Sequence, residues 1–232
     1  MDQNQEKQTQ EPAGKTEQRS YIDLPTRFDR WEPLAEVIAT IVLACATLAT
    51  AWSGYQSARW GGVQSSKYSQ AGALRTESTR ASNLAGQLTQ IDIGLFTNWI
   101  NAYANEQPDL MEFYQSRFRD EFKPAFEAWL ATDPAENPEA PKSPFAMPEY
   151  NLAMSNEADR LQKEAEDTFN IGQDANQTSD NYILNTVILA SVLFLGGVVT
   201  RFKAMAARWV IIVISLGILI YGLFNLFTYP IN

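Results

Sequence analysis

The chain has 232 residues, of which 27 are acidic and 18 are basic, and it contains no histidine. Its net charge of -9 has the wrong sign for binding nucleic-acid phosphates, so we expect no nucleic-acid partner. The lack of histidine excludes imidazole metal sites and Ser-His or Cys-His catalytic dyads, and the single cysteine, Cys45, excludes an internal disulfide.

The first 58 residues predict a polar tail followed by a transmembrane helix. Residues 1–30 are rich in Gln, Glu and Lys, which is typical of a disordered segment. The run 37–58 is uncharged and long enough to cross a bilayer, so we place the first span at 31–58. The sequence ATA at 49–51 has the form of a signal-peptide cleavage site, but the long acidic tail favours an uncleaved anchor.

Small residues recur at four-residue spacing in this span, a pattern that favours close helix contact in lipid. Such contact can join two copies of the chain or two spans of one chain, and we prefer self-association. The predicted packing ladder consists of Cys45, Ala46, Ala49, Thr50, Ser53 and Gly54.

Residues 59–181 predict an extracytoplasmic helical region. A proline-free helix over 53–106 carries a heptad pattern typical of helix packing. A second helix over 109–131, a proline-rich extended strap over 132–148 and a third helix from 149 return the chain to the membrane. The similar lengths of the two arms predict an antiparallel hairpin. The heptad residues are Leu74, Ala81, Leu88, Leu95 and Ala102, with Leu84 and Ile91 between them.

Side-chain sizes and charges suggest a register in which Trp52 lies beside Tyr182. Small residues of the two arms then face each other near the membrane, and aromatic residues face the large residues of the first helix further away. The small seam of the returning arm is Ala158, Ala165, Thr168, Gly172, Ala175 and Ser179, and the aromatic stripe is Tyr114, Phe118, Phe122 and Phe126. The predicted charge pairs are Arg59 with Asp174, Lys67 with Asp167, and Arg75 with Asp159.

Two further uncharged runs predict spans at 182–200 and 209–228, joined by a basic loop over 201–208. The loop carries Arg201, Lys203 and Arg208 and no acidic residue, so we expect it to be cytoplasmic. The N-terminal tail is then cytoplasmic, while 59–181 and the tail 229–232 lie outside. The predicted fold class is an all-α membrane protein with three transmembrane helices and a long extracytoplasmic antiparallel hairpin interrupted by the proline-rich strap.

The sequence contains few patterns typical of catalytic, metal-binding or cofactor-binding sites. No calcium-loop, phosphate-loop or dinucleotide-binding spacing is present, so we expect no enzyme activity, cofactor or metal site. Glu36 at the inner mouth of the first span, with Asn185 and Asn225 in the other spans, indicates a possible polar path for an ion or solute.

Three stretches, AWSGYQSARWGG, ALRTESTRAS and SPFAMPEY, resemble those of uncharacterised bacterial inner-membrane proteins with one early span, a helical middle region and two late spans. The resemblance implies a bacterial inner membrane with the middle region in the periplasm, and no assigned activity. We therefore expect an interaction or scaffold protein that binds the bilayer and either copies of itself or another envelope protein. The alternatives are a small channel or transport component and, third, a membrane sensor.

Overall fold

The computed structural model describes residues 31–199, 201–202 and 204–232, which form five α-helices and one short 3-10 helix, with no strand among them. The predicted all-α class is confirmed. Three of the helices are long and apolar enough to cross a membrane. The helices are α1 (Glu32–Ala104), α2 (Pro108–Gln115), α3 (Lys123–Leu130), α4 (Ala153–Val199) and α5 (Met205–Thr228), and the 3-10 helix is Pro144–Ala146.

Helix α1 runs for 73 residues without interruption and is the spine of the molecule. A proline in its first turn suits the helix start, since the missing N–H would have no helical acceptor there. No further proline occurs before Pro108. The helix ends where Glu106 adopts a positive φ of 54°.

The three long helices meet in a region that we call the base, comprising 31–60 and 182–232. Its apolar core joins one stripe of each helix, including Val42, Leu189 and Leu219, which are almost fully buried. Helices α4 and α5 can approach closely because position 222 of α5 is a glycine. A Cβ added at Gly222 would lie 2.6 Å from Leu189 Cδ2.

Beyond the base, α4 packs antiparallel to α1 in a region that we call the stalk, comprising 61–84 of α1 and 153–181 of α4. The small seam predicted for α4 is confirmed, because all six of its residues are buried. The small seam that the sequence predicts on α1, at Ser53, Ser57, Gly61, Ser65, Ser69 and Gly72, is confirmed only in part. Ser53 and Ser57 are buried and Gly61 is half-buried, but Ser65, Ser69 and Gly72 are exposed, and Ala71 and Ser78 are buried instead.

A large-to-small contact accompanies this difference. The ring of Tyr68 occupies the space where Gly172 lacks a side chain, and it stacks on Phe169 at 5.0 Å between ring centroids. Ser78 Oγ donates to Ala158 O at 2.8 Å in the same alignment. The two helices are thus displaced by about one turn from the register that places Trp52 beside Tyr182.

The far end of α1 carries a region that we call the head, comprising 85–104 of α1 and 105–152. The segment 116–122 separates α2 from α3, whereas the sequence predicts a single helix over 109–131. Residues 132–148 lack α-helix, as their prolines predict, but they form hydrogen-bonded turns and the 3-10 helix rather than an extended strap.

Candidate functional sites

The head contains a buried carboxylate at the centre of a polar cluster. Asp92 is fully buried on α1, and its Oδ2 accepts hydrogen bonds from Arg119 Nη1 at 2.9 Å and from Tyr150 Oη at 3.1 Å. The other guanidinium nitrogen of Arg119 pairs with Glu121, whose Oε1 accepts from the backbone N–H of Ala153 at 3.0 Å. The cluster therefore connects α1 to the α2–α3 segment, to the turns before α4, and to the start of α4.

Burial dominates the electrostatics of this cluster. Desolvation raises the pKa of the Asp92 carboxyl above its ordinary value, although the hydrogen bond from Tyr150 and the charge of Arg119 oppose the rise. Desolvation likewise raises the pKa of the Tyr150 hydroxyl, which keeps it protonated as a donor. Asp92 Oδ1 has no hydrogen-bond partner among the described residues. The arrangement positions the head, and it contains no activated nucleophile.

Aromatic side chains surround the polar cluster and form the core of the head. Phe122 is fully buried, stacks on Phe145 at 5.2 Å and contacts the ring of Tyr150 edge-on at 5.9 Å. The predicted stripe is confirmed for Phe118, Phe122 and Phe126, each at most 3% exposed. These rings exclude water from Asp92 and thereby strengthen its interaction with Arg119.

The sequence analysis missed Asp92, Arg119 and Tyr150, although one signal for Asp92 was present. Residues at every seventh position of α1 are buried, and Asp92 lies in that series. A carboxylate on a packing seam must find a buried partner, because an unpaired charge there is strongly unfavourable. The series is Ala71, Ser78, Ala85, Asp92 and Trp99.

A second polar cluster lies in the part of the base next to the stalk. Asn185 Nδ2 donates to Ser53 Oγ at 3.0 Å, and Asn225 Nδ2 approaches Asn185 Oδ1 at 3.5 Å, so one amide links the three long helices. Ser57 and Ser179 share a hydrogen bond of 3.1 Å one turn further along. Inside an apolar bundle such contacts fix the relative position of the helices.

The C-terminal residues cover this second cluster. Pro230 O accepts from Trp60 Nε1 at 2.9 Å and from Tyr182 Oη at 3.3 Å. The backbone N–H of Asn232 donates to Oε1 of the fully buried Gln56 at 3.1 Å. The segment after α5 is therefore part of the packed base.

Glu36, the residue proposed to mark a polar path, lies at the opposite end of the base. It lines a groove of about 220 Å³ between α1, α4 and α5, together with Arg208. Between this groove and the Asn185 cluster lies a layer of buried apolar side chains. The layer consists of Val42, Ala46, Leu189, Val192 and Leu219. The described residues of one chain thus form no continuous polar path.

The predicted packing ladder divides between two faces of α1. Ala46, Ala49 and Ser53 are buried against the other helices of the base, and Thr50 is half-buried. Cys45 and Gly54 are exposed. Contact between spans of one chain accounts for the buried members only.

The predicted charge pairs do not form ion pairs in the described part of the chain. Lys67 Nζ donates to Gln70 Oε1 at 3.3 Å, and the guanidinium of Arg75 lies 4.9 Å above the Phe169 ring. Arg59 lines an open groove with Lys67. The shifted register explains these positions. The predicted partners of these three basic residues were Asp159, Asp167 and Asp174.

Two of the three predicted topology determinants can be located. Arg201 is exposed just after α4, and Arg208 lies half-buried in the first turn of α5, where its Nε donates to Phe202 O at 2.8 Å. Lys203 lies outside the described residues.

The face of α1 turned away from α4 is lined by exposed glycines. A methyl group added at any of them would contact nothing within 4 Å. At about 100° per residue they lie within roughly 120° of the helix circumference. They are Gly54, Gly62, Gly72, Gly86 and Gly94, which we call the glycine face. The other exposed residues of this face are small as far as Thr79, and beyond it the face also carries larger polar side chains. The small residues are Thr47, Ala51, Ala58, Ser65, Ser69, Thr76 and Thr79, and the larger ones are Arg80, Asn83, Gln87 and Gln90.

Across the described ranges, no group of three or more Asp, Glu or Cys side chains could hold a metal ion. Comparison with known proteins finds no matching family model, no similar curated protein and no similar solved structure. The function must therefore be inferred from the geometry of the chain.

Proposed function

We propose that the chain is a membrane-anchored interaction protein that self-associates through the glycine face of α1. The base would anchor it in a bacterial inner membrane, with the N-terminal tail and the 201–208 loop in the cytoplasm. The stalk and head, within 59–181, would project into the periplasm. The loop charges of Arg201 and Arg208 support this orientation.

The observation that carries the proposal is the set of five glycines on one exposed helix face. Glycine within a helix costs about 0.5–1 kcal/mol relative to alanine, so five of them weaken α1 by several kcal/mol. Among the described residues of one chain no contact offsets this cost, because a Cβ added at any of these glycines would meet nothing within 4 Å. Close approach of a second helix would offset it, since small residues let two backbones pack tightly.

The expected partner is a second copy of the same chain. Two copies inserted with the same topology have parallel α1 helices, so each level of the glycine face meets the same level of the other copy. The exposed residues of this face are small and uncharged from residue 47 to residue 79, and such a face is complementary to itself, as a twofold symmetric interface requires. Arg80, at the edge of this face, is 69% exposed in its side chain and would stay at the rim.

Exposed apolar residues beside the glycine face support the same proposal. Leu84 and Ile91, one heptad apart on α1, are 43% and 52% exposed although they lie on the stalk and head rather than in the base. Exposed apolar groups outside a membrane commonly mark interaction sites. A parallel coiled-coil contact along α1 would bring both residues close to the partner helix.

A cysteine scan in native membranes tests the proposal. In a Cys45→Ala background, Ser65→Cys and Ser66→Cys place one thiol each on adjacent exposed residues, about 100° apart around α1. Because a disulfide needs Cα atoms within about 7 Å, oxidation should yield a crosslinked dimer at position 65 and little at 66. Adding Gly72→Leu should abolish the crosslink.

Equal crosslinking at positions 65 and 66 would point to random collision and would contradict a defined interface. A purely monomeric mass in mild detergent, combined with no crosslink at position 65 in membranes, would refute self-association. Reporter fusions at 140 and 205 test the orientation separately, because they should report opposite sides of the membrane.

A further inference from the structure

The head carries a groove lined by aromatic side chains. The groove has a volume of about 270 Å³ and lies between the last turns of α1, the end of α3 and the turn that follows α3. Trp99 and Tyr103 line it from α1 and stack on each other at 5.5 Å between ring centroids, and Trp129 lines it from α3. Tyr103 is 49% exposed, so part of this aromatic surface is open to a ligand.

One of these side chains has a hydrogen-bond donor without an acceptor. Trp99 is 3% exposed, and its indole Nε1 is buried with no hydrogen-bond partner among the described residues. Trp129 differs, because its Nε1 donates to Pro141 O at 2.7 Å. A buried donor without an acceptor is unfavourable, so a ligand that brings a carbonyl oxygen to the Trp99 indole gains affinity by this contact.

The rim of the groove carries a carboxylate without a cation. Asp133 is exposed in the turn after α3 and makes no ion pair in the described part of the chain. Its φ of 53° is a left-handed conformation, which aspartate adopts more readily than most residues. Its N–H donates to Leu130 O at 3.1 Å, and its carbonyl accepts from the N–H of Asn137 at 2.8 Å. The backbone of the turn thus holds this carboxylate beside the aromatic surface.

The charge of the whole head has the same sign as this carboxylate. Residues 85–152 include 11 acidic and 4 basic residues, so the head holds most of the net charge of -9. Two further acids adjoin the groove, since the N–H of Glu106 donates to Tyr103 O and the N–H of Glu136 donates to Asp133 O, both at 3.1 Å. Such a charge distribution attracts a basic ligand and repels the acidic head of a second copy.

We propose that this groove binds a peptide segment of another envelope protein through a lysine side chain. The ammonium group contacts the Asp133 carboxylate and the ring of Tyr103, which attract it by charge and by a cation–π interaction. The aliphatic stem of the lysine packs along Ile100 and Leu130, and a backbone carbonyl of the peptide accepts the N–H of Trp99. One basic residue of a peptide therefore supplies the cation, the apolar stem and the acceptor that the groove requires.

The size and position of the groove agree with this occupant. Pockets that enclose a whole drug-sized ligand have volumes of roughly 300–1,000 Å³, so about 270 Å³ suits one side chain with its backbone amide. Tyr103 follows Gly94 by nine residues, which places it half a turn around α1 from the glycine face. Self-association through the glycine face therefore leaves the groove open, and the proposal does not depend on it.

Indole NMR of the full-length protein in mild detergent tests the proposal with two matched probes. Nα-acetyl-lysine amide carries the ammonium, the stem and the carbonyl, whereas Nα-acetyl-norleucine amide lacks only the ammonium. With ¹⁵N-labelled tryptophan, the indole signal of Trp99, identified by its loss in Trp99→Phe, should shift saturably as either probe is added. We expect the lysine probe to bind about tenfold more tightly, the combined effect of an exposed ion pair and a cation–π contact. Equal binding of the two probes, or no saturable shift with the lysine probe, would overturn the assignment.

Variants locate the binding at the groove. Asp133→Asn keeps a residue that tolerates the left-handed turn, and it should lower the preference for the lysine probe about fivefold. Glu112→Gln removes the same charge from an exposed residue of α2 that lines a different groove, and it should retain the preference. Full preference for the lysine probe in Asp133→Asn would place the ammonium elsewhere and refute the proposal.

Two further measurements exclude a different ligand and separate the two proposals. N-Acetylglucosamine offers hydroxyls and a carbonyl without a positive charge, so it should leave the Trp99 signal unchanged. A saturable shift with this sugar and none with the lysine probe would assign the groove to a saccharide and contradict a peptide site. Gly72→Leu, which should prevent self-association, should bind the lysine probe as tightly as the unaltered protein does, whereas loss of binding in this variant would contradict a groove built by one chain.

Discussion

Replacing Arg119 by methionine isolates the role of the buried carboxylate in the head. Methionine keeps a long apolar stem but removes the charge, so Asp92 stays fully buried with Tyr150 as its remaining hydrogen-bond donor. Loss of one partner of a buried ion pair usually costs about 3–5 kcal/mol. The Arg119 side chain is 21% exposed, which weakens the pair, and we expect about 3 kcal/mol, near the low end of that range.

Such a loss should appear as local opening of the head. About 3 kcal/mol corresponds to roughly a 100-fold increase in the opening equilibrium. Hydrogen exchange of the full-length protein in detergent measures it directly, since amides of 105–131 and of the first turns of α4 should lose protection together. The joint response is expected because Glu121, the other carboxylate bound by Arg119, accepts the N–H of Ala153.

Two further variants make the test specific. Arg160→Met also removes an arginine with two carboxylate partners, Glu157 and Glu164, but its side chain is 58% exposed, so solvent screens the pairs and the protection of the head should not change. The double variant Asp92→Asn with Arg119→Met removes the unpaired charge and should recover most of the protection. If Arg119→Met behaves like Arg160→Met, the buried pair does not hold the head in place.

Further variants test the cluster, the stalk and the base. Burial raises the pKa of the Asp92 carboxyl above its ordinary value of 3.8. The free energy that Asp92 contributes to folding of the head is therefore greatest below pH 3.8 and is lost as the pH rises through the raised pKa. Over that pH window the hydrogen-exchange protection of the head should fall relative to that of the Asp92→Asn variant. A Cβ at Gly172 would lie 2.6 Å from the Tyr68 ring, so Gly172→Ala should lower the midpoint of thermal unfolding by an overpacking cost of about 1–3 kcal/mol. In the monomer, Gly94→Ala meets open space and should instead raise stability by about 0.5–1 kcal/mol. Asn185→Leu breaks the amide link between the three long helices and should cost about 1–2 kcal/mol in a detergent unfolding assay, whereas no change would mean that apolar packing alone fixes the base.

The sequence was sufficient to predict the elements whose signal is local. Uncharged runs of membrane-spanning length identified three helices, because hydropathy depends on composition alone. The small seam of α4 and the aromatic core of the head followed from the spacing of side-chain sizes. Both predictions hold although the register of the two helices differs from the predicted one. They concern which face of a helix is buried, not which residue of the neighbouring helix that face contacts.

The packing seam of α1 shows where sequence reasoning failed. In one column of the heptad pattern Ala81 and Ala102 are buried, and the three leucines between and before them are half-buried. For the second column the largest apolar residues, Leu84 and Ile91, were chosen, yet both are exposed. The true column holds Ala85 and Asp92, whose burial depends on partners more than 20 residues away, including Arg119. Side-chain size alone gives no information about such distant partners.

The two faces of α1 have opposite requirements, and this difference explains its composition. The face toward α4 changes along the helix from aliphatic residues in the base to small residues in the stalk and aromatic rings in the head, as its neighbours change. The exposed residues of the opposite face stay small and uncharged from residue 47 to residue 79, across the boundary between the base and the stalk, and larger polar residues join the glycines only further along. A surface that met only lipid and then water would change from apolar to charged at the membrane boundary. A face that keeps one character across that boundary is what contact with a second parallel α1 requires, because the partner helix is the same neighbour at every level.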